Sequence, residues 1–206
     1  MKRVQTIILD LGGVILDLHQ ESTVRGFEEY GIDYYSLSIN DQTLDHFEKG
    51  WIKENQFREF VKSISDKEIS DLEIDKIWNA MLGDLPFARI ELIKELSKDF
   101  EIYLLSNTNS IHIRWFDQYF RKNFVNENWN HLFKKIFYSF EIGMRKPDKE
   151  IFEFCLGQIN RDGAECIFID DNKTNLEGAE RCGIQTVWAK EPLSDQLMRK
   201  IISRAK

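Results

Sequence analysis

The sequence predicts an α/β protein whose core is a doubly wound parallel sheet, with a small bundle of helices inserted after the first strand. Short apolar segments alternate with amphipathic segments over most of the chain, as in sheets that carry helices on both faces. Between Asp17 and about Phe87 this alternation stops, and only helix-like patterns occur. We therefore expect residues 1–16 and 88–206 to form the core and residues 17–87 to form a separate helical domain.

The first predicted strand, Thr6–Leu9, is a nearly continuous apolar run, which is typical of a strand buried on both faces. The strand leads into Asp10, and two glycines, Gly12 and Gly13, follow. Ligands of open α/β sheets bind beyond the carboxyl ends of the strands, so Asp10 is expected at the floor of the crevice. An Asp before a glycine turn is also common where a strand simply ends, so this motif alone is weak evidence for a ligand site.

Four helices are predicted in the insertion: Glu21–Tyr30, a helix that begins at Asp41 or Thr43 and ends at Gly50, Asn55–Ile64, and Leu72–Met81. Helices of this length form a small bundle. His46, Glu48, Trp51 and Trp78 are candidate specificity residues. The helical spacing of Phe47, Trp51 and Trp78 is more typical of a helical core, and His46 also suits a surface or capping position.

Three later segments place polar residues after apolar ones. Ile102–Leu105 leads into Ser106–Asn109, whose hydroxyl and amide groups suit an anionic oxygen. Gly143–Pro147 contains Lys146 just before a predicted helix. Cys166–Ile169 leads into Asp170 and Asp171, which repel each other unless a cation lies between them and Asp10. We expect all of these groups at strand ends, where they suit metal-assisted phosphoryl transfer.

The remaining predicted elements continue the alternation: a helix at Arg89–Leu96, a helix at Asn175–Cys182, a strand at Ile184–Trp188 and a helix around Leu193–Ala205. His112 and Arg114 suit either a substrate contact or a solvated helix face. Arg145 suits either of two roles: it adds positive field to the crevice, or it forms a salt bridge with a nearby acidic residue. The three cysteines are widely spaced, which disfavours zinc, and we expect three buried thiols.

In order and spacing, the four polar segments resemble those of the haloacid dehalogenase superfamily, from Ile7 to about Gly183. The motifs of these segments are similar to those of the bacterial alpha-glucose-1-phosphate phosphatases: Asp-Leu-Gly-Gly-Val, Ser-Asn-Thr-Asn, Gly-Met-Arg-Lys-Pro and Asp-Asp-Asn. The resemblance implies a Rossmann-like core. It also implies that residues 17–87 are the helical cap that closes over the phosphate site and selects the substrate.

The resemblance implies roles for matching residues. Asp10 would be the nucleophile, Ser106 and the Asn107 backbone amide would cradle the phosphate, and Lys146 would neutralise charge on the transferring group. Magnesium would be held by Asp10, the Gly12 carbonyl and Asp171, with support from Asp170 and Asn175. Many related phosphatases place a second Asp two residues after the nucleophile, where it protonates the leaving oxygen, whereas this chain has Gly12.

The implied function is a magnesium-dependent phosphatase that acts on a small phosphorylated metabolite such as glucose 1-phosphate. A 2-haloacid dehalogenase, which needs no metal, is one alternative, and the acidic pair at Asp170 and Asp171 argues against it. A catalytically silent protein that binds a phosphorylated metabolite is another. Retention of all four polar segments argues against this second alternative.

Composition limits the remaining function classes. The chain has 206 residues, enough for one substantial α/β core plus an insertion. Its formal net charge of -7 disfavours nucleic acid and anionic membrane as partners. Apolar runs are far shorter than a transmembrane span, and Asp10 interrupts the apolar stretch after Met1-Lys2-Arg3 that imitates a signal peptide. We therefore expect a cytoplasmic enzyme with a small-molecule substrate, while the oligomeric state is unknown.

Overall fold

A computed structural model describes residues 3–34 and 42–205. Its strands form one parallel sheet in the order β3-β2-β1-β4-β5. The strands are β1 (Thr6–Leu9), β2 (Glu101–Ser106), β3 (Lys135–Tyr138), β4 (Cys166–Asp170) and β5 (Gln185–Trp188). Because β1 lies at the centre, with β2 and β4 on either side, the predicted parallel α/β sheet is confirmed and β1 ends in the middle of its carboxyl edge.

The predicted helices occur in the predicted order, with bounds shifted by a few residues. The insertion contains α1 (Gln20–Glu28), α2 (Thr43–Glu48), α3 (Glu54–Ser63) and α4 (Asp71–Asn79). The core contains α5 (Phe87–Leu96), α6 (Ser110–Asn123), α7 (Ser139–Ile142), α8 (Lys149–Ile159), α9 (Lys173–Glu180) and α10 (Asp195–Ala205). Two of these core helices, α6 and α7, are additional ones for which no bounds were predicted. Asp41, the alternative start of α2, lies outside the described residues. The division into domains at residues 16 and 88 stays a prediction.

Successive residues of β1 face opposite sides of the sheet, and both sides are covered. Ile7 and Leu9 pack into one hydrophobic cluster, which includes Ile90 of α5 and Phe116 of α6. Ile8 packs into the other cluster, which includes Phe152 of α8 and Ala179 of α9. Burial on both faces explains why β1 is nearly continuous in apolar residues rather than alternating.

Helices α1 to α4 surround a hydrophobic cluster of their own, to which Ile111 of α6 also contributes. Phe47 and Trp78 lie in this cluster, 2% and 4% exposed, as the core interpretation predicted. Trp51 differs from that prediction because it is 60% exposed. It follows the left-handed Gly50 just after α2, and its ring lies beside His46 with centroids 5.2 Å apart, whereas the next residue, Ile52, packs against the cluster.

His112 belongs to the interior, so the solvated helix face offered for it was wrong, while the substrate contact stays a prediction. Its ring stacks on Trp78 with centroids 5.0 Å apart, and its Nδ1 lies 2.9 Å from the side-chain oxygen of Asn79. Burial lowers the pKa of His112 to about 3. The imidazole is therefore a neutral link between α4 and α6 at physiological pH.

Two of the three cysteines are buried as predicted, and burial raises the pKa of Cys155 and Cys166 to about 12. Cys182 is only half-buried, which corrects the third assignment, because it lies in the turn after α9 rather than on an inward helix face. Among the described residues, no helix combines the length and the apolar character that crossing a bilayer requires.

Candidate active site

Three neighbouring strand ends bring together the first polar groups of the site. In the sheet, Leu9 is level with Leu104 of β2 and with Ile169 of β4. The next residue, Asp10, is therefore level with Asp170, and its amide donates to the Ile169 carbonyl at 2.9 Å. Ser106 ends β2 on the other side of β1 and is 3% exposed.

The buried side chain of Lys146 connects all three of these strand ends. Its side chain is 1% exposed, and its Nζ lies 2.8 Å from Asp10 Oδ1 and 2.7 Å from Asp170 Oδ2. The same Nζ donates to the Leu105 carbonyl at 2.9 Å. One ammonium group therefore fixes two carboxylates and the end of β2.

Lys146 itself does not come from a strand end, which corrects the prediction. Strand β3 ends at Tyr138, and Lys146 lies in the loop after the short helix α7. The strand was not predicted because it is short and opens with charged residues rather than with an apolar run.

Asn107 holds the loop that carries Lys146. Its side-chain oxygen accepts the Lys146 backbone N–H at 2.8 Å, and its side-chain nitrogen donates to the Lys146 carbonyl at 2.8 Å. This pair of bonds fixes the backbone of Lys146 directly. Only the Asn107 backbone amide was expected in the site, because nothing local shows that the side chain reaches a residue 39 positions away.

The carboxylate of Asp170 is fully occupied by protein donors. Besides Lys146, it accepts the backbone N–H of Asn172 at 2.7 Å and the side-chain amide of Asn175 at 3.1 Å on each oxygen. Asp170 is also 0% exposed. It is therefore suited to holding Lys146 and the acidic loop in place rather than to offering free oxygens to a ligand.

Asp171 presents the exposed carboxylate of the acidic loop. Asp10, Asp170 and Asp171 each have a carboxylate oxygen within 4.8 Å of the others. The backbone carbonyl of Asp171 accepts the indole N–H of Trp188 at 2.9 Å, which ties the loop to β5. Gly13 packs against the side chain, because a Cβ at Gly13 would lie 2.4 Å from Asp171 Oδ2.

The site carries an excess of negative charge. Burial raises the pKa of Asp10 to about 7, the Lys146 ammonium opposes the rise, and the charge of Asp170 adds to it. Burial also raises the pKa of Asp171, with a further contribution from Asp170. Burial alone would lower the pKa of Lys146, but the two carboxylates outweigh it and raise that pKa.

A hard divalent cation fits this cluster. Asp10 and Asp171 offer carboxylate oxygens that are not all engaged by protein donors, and a cation between them would relieve the repulsion that raises their pKa values. Gly12 lies on the adjoining turn, where a Cβ would lie 2.9 Å from Leu18 Cδ1. The turn is therefore closely packed at the position where many related enzymes place a second Asp.

The polar segment after β2 is fixed by contacts on both sides. The Ser139 hydroxyl accepts the Thr108 N–H at 2.9 Å and donates to the Thr108 carbonyl at 3.0 Å. The Asn109 side chain caps α6 by accepting the His112 N–H at 3.1 Å, and it also accepts the indole N–H of Trp78 at 3.3 Å. This segment is therefore preorganised beside Asp10.

Ion pairs link the inserted helices to the loops around the site. Arg145 lies 3.1 Å from Asp45 and 2.8 Å from Glu48, both on α2. Arg114 of α6 lies 2.7 Å from Glu54 of α3, so it contacts the insertion rather than solvent alone. Of the two alternatives for Arg145, the structure shows the salt bridge.

Comparison with known proteins adds family information. The family model "haloacid dehalogenase-like hydrolase" matches residues 4–183. A D-ribitol-5-phosphate phosphatase from Bacteroides thetaiotaomicron is 26% identical over 194 residues, which cover 89% of this chain and 90% of that protein.

Solved structures of similar proteins share the fold. A haloacid dehalogenase-family enzyme from Bacteroides thetaiotaomicron, solved with magnesium and inorganic phosphate, has a TM-score of 0.79 at 33% identity and covers 90% of this chain and 93% of its own. A predicted hydrolase of this type from Porphyromonas gingivalis has a TM-score of 0.82 at 25% identity and covers 98% of both chains.

Proposed function

Because the chain belongs to the haloacid dehalogenase-like hydrolases, we propose that it is a magnesium-dependent phosphatase of a small sugar or sugar-alcohol phosphate. The observation that carries the proposal is the arrangement of Asp10, which has Lys146 at 2.8 Å and Asp171 within 4.8 Å. A nucleophilic carboxylate beside a buried cation and an acidic metal site suits phosphoryl transfer. The phosphatase relative and the solved relative that binds magnesium and phosphate support the same reaction.

In this proposal Asp10 attacks phosphorus. One carboxylate oxygen forms a bond to phosphorus while the bond from phosphorus to the ester oxygen breaks, which leaves a phosphorylated Asp10 and an alcohol. Water then hydrolyses the acyl phosphate and restores the carboxylate. Attack requires the ionised carboxylate, and Lys146 favours this form despite burial.

The other residues hold and stabilise the phosphoryl group. Lys146 lies where it offsets charge on that group, and Ser106 with the Asn107 amide supplies hydrogen-bond donors at the end of β2. Magnesium would be held by Asp10, Asp171 and the Gly12 carbonyl, and it would offset the charge of nucleophile and substrate. Asp170 and Asn175 would keep this loop and Lys146 in place.

Gly12 limits the choice of substrate. Without an Asp at this position, the leaving oxygen receives its proton from water, from a substrate hydroxyl or from another group, or it departs as a good leaving group. An anomeric phosphate such as glucose 1-phosphate suits the last case. The resemblance to alpha-glucose-1-phosphate phosphatases favours that substrate, whereas the ribitol-phosphate relative favours a sugar-alcohol phosphate.

The two alternatives make different predictions about metal. A dehalogenase would leave three carboxylates, Asp10, Asp170 and Asp171, with only the Lys146 ammonium to offset them, although burial already raises the pKa of Asp10 to about 7. A silent binding protein would have no need of an ionised, lysine-paired nucleophile. The charge arrangement therefore favours the metal-dependent phosphatase.

Phosphate release from glucose 1-phosphate, ribitol 5-phosphate and other sugar phosphates, with magnesium or with EDTA, tests the proposal. We expect magnesium-dependent turnover that Asp10→Asn abolishes. Asp195→Asn, on the exposed first turn of α10, is the matched control and should retain turnover. Full activity in EDTA, or activity that survives Asp10→Asn, would refute the mechanism.

A further inference from the structure

Glu48 and Arg145 face each other across the boundary between the inserted helices and the core. Glu48 is the last residue of α2, and its carboxylate lies 2.8 Å from the Arg145 guanidinium. Asp45, one turn earlier on α2, lies 3.1 Å from the same guanidinium. Arg145 directly precedes Lys146, so this cluster adjoins the lysine that contacts Asp10.

Two atoms of this cluster are buried without an aligned hydrogen bond to any of the described residues: Glu48 Oε2 and Arg145 Nε. Glu48 Oε2 therefore pairs with the Arg145 guanidinium at 2.8 Å without an aligned hydrogen bond, which leaves acceptor capacity on Glu48 unused, and the Arg145 Nε donor has no partner among the described residues. Buried polar atoms in folded proteins nearly always have partners. A hydroxyl group both donates and accepts, so a single hydroxyl is complementary to this acceptor and this donor together.

The cluster lies within electrostatic range of the phosphoryl site. Burial raises the pKa of Glu48, and the charges of Arg145 and Lys146 oppose that rise. Lys146 is the residue that contacts Asp10 at 2.8 Å. Because Arg145 directly precedes Lys146, a substrate whose phosphate lies at Asp10 is the ligand that this cluster would meet.

The charges around Arg145 and Lys146 disfavour a second anionic group on the substrate. Lys146 is already paired with Asp10 and Asp170, and Arg145 is already paired with Asp45 and Glu48. A carboxylate or second phosphate on the leaving group would have to compete with these side chains. A neutral hydroxyl group would not.

We propose that Glu48 and Arg145 are specificity-determining residues that bind a hydroxyl group on the leaving group of the substrate. The protein then prefers phosphate monoesters of neutral sugars or sugar alcohols to those of hydroxy acids. This inference rests on the proposed phosphatase function and names its substrate class.

The test compares specificity ratios. For each variant, kcat/KM is measured with ribitol 5-phosphate, with glucose 1-phosphate, with 3-phosphoglycerate, and with 4-nitrophenyl phosphate, whose leaving group has no further hydroxyl. Glu48→Gln keeps the shape of the side chain, and Arg145→Lys keeps the charge but removes the Nε donor. Glu54→Gln is the matched control, because Glu54 also pairs with an arginine at this boundary, namely Arg114. Thermal unfolding checks that each variant is folded.

We expect both variants to lower the ratio of the better polyol phosphate to 4-nitrophenyl phosphate by about tenfold or more, because a site built around a hydroxyl loses discrimination when its partner is removed. The preference over 3-phosphoglycerate should narrow as well, and Glu54→Gln should leave both ratios within about twofold of the original, because its half-buried ion pair with Arg114 is not part of the proposed hydroxyl site. Unchanged ratios in folded, active Glu48→Gln and Arg145→Lys would overturn the inference while leaving the phosphatase function intact. Release of no phosphate from any compound by the original protein would instead refute the proposed function, and the inference with it.

Discussion

Replacing Lys146 with methionine should destabilise the protein strongly, because Lys146 offsets two buried carboxylates. Its side chain is 1% exposed, and those of Asp10 and Asp170 are 11% and 0% exposed. Breaking a buried ion pair from one side costs about 3–5 kcal/mol, since it leaves an uncompensated buried charge. For a chain of this size, a loss of that amount corresponds to a decrease in Tm of roughly 6–20 °C.

The assay is urea or thermal unfolding in EDTA, so that no cation replaces the lysine. Lys62→Met is the control, because Lys62 lies on the surface of α3 and pairs with Glu59 and Asp71 at 2.8 and 2.6 Å. This control should cost far less than Lys146→Met, because an ion pair at the surface contributes little to stability. The double variant Lys146→Met with Asp170→Asn should recover part of the loss, because it removes one of the uncompensated charges.

The cost of Lys146→Met should also depend on pH. Burial and the Asp170 charge raise the pKa of Asp10 above the unfolded value of about 4, and removing the ammonium that opposes them raises it further. A raised carboxyl pKa means that the folded state binds more protons, so stability is lost as pH rises from about 4 through the folded pKa. A cost below about 1 kcal/mol at pH 8, or one that equals the Lys62→Met cost, would refute this account of the site.

Three further predictions concern groups that the structure fixes. The pKa of His112 is about 3 in the folded state and about 6.5 in the unfolded state, so between these pH values only the unfolded state binds a proton at this residue. The free energy of unfolding should therefore fall by up to about 4–5 kcal/mol as the pH drops from about 6.5 to 3. In urea unfolding, His112→Phe should lack this pH-dependent loss. Gly13→Ala should weaken magnesium binding, measured by calorimetry, by about tenfold or more, because the new Cβ lies 2.4 Å from Asp171 Oδ2 at a φ of +69°, whereas Gly157→Ala on α8 meets nothing within 4 Å and should leave magnesium affinity unchanged. Asn107→Ala removes both hydrogen bonds to the Lys146 backbone and should lower kcat by about 10²-fold. The control is Asn123→Ala, which removes a side-chain hydrogen bond to the Tyr119 carbonyl at an exposed end of α6 and should leave kcat unchanged. Equal kcat values for the two variants would show that Lys146 needs no such support.

Much of the site could be predicted because the relevant rules are local. A buried parallel strand has a recognisable apolar pattern, and the residue after it must lie at the carboxyl edge of the sheet. Asp10, Ser106 and Asp170 follow from this rule and lie on adjacent strands. The glycine at position 12 and the acidic pair are visible directly in the sequence, and they indicate which chemistry the edge supports.

Prediction failed where a residue acts through distant contacts. Lys146 was assigned to a strand end, although it lies in a loop that the Asn107 side chain holds. His112 suited a surface helix face by spacing, yet it is buried because Trp78 of α4 covers it. Trp188 lies 17 residues from the acidic loop that its indole N–H fixes.

The sequence by itself therefore determined the parallel α/β class, the order of most elements apart from β3, and the identity of the charged groups at the sheet edge, since hydrophobic period and strand ends are properties of short segments. Only the tertiary structure decided which partner each charged group has. Lys146 pairs with Asp10 and Asp170, and Arg145 pairs with Glu48, because packing of the inserted helices and of the strands brings together residues up to 136 positions apart. The pKa and the interaction energy of a buried charged group depend on those partners. The reaction class therefore follows from the sequence, whereas the electrostatics of the site and substrate recognition follow from the fold.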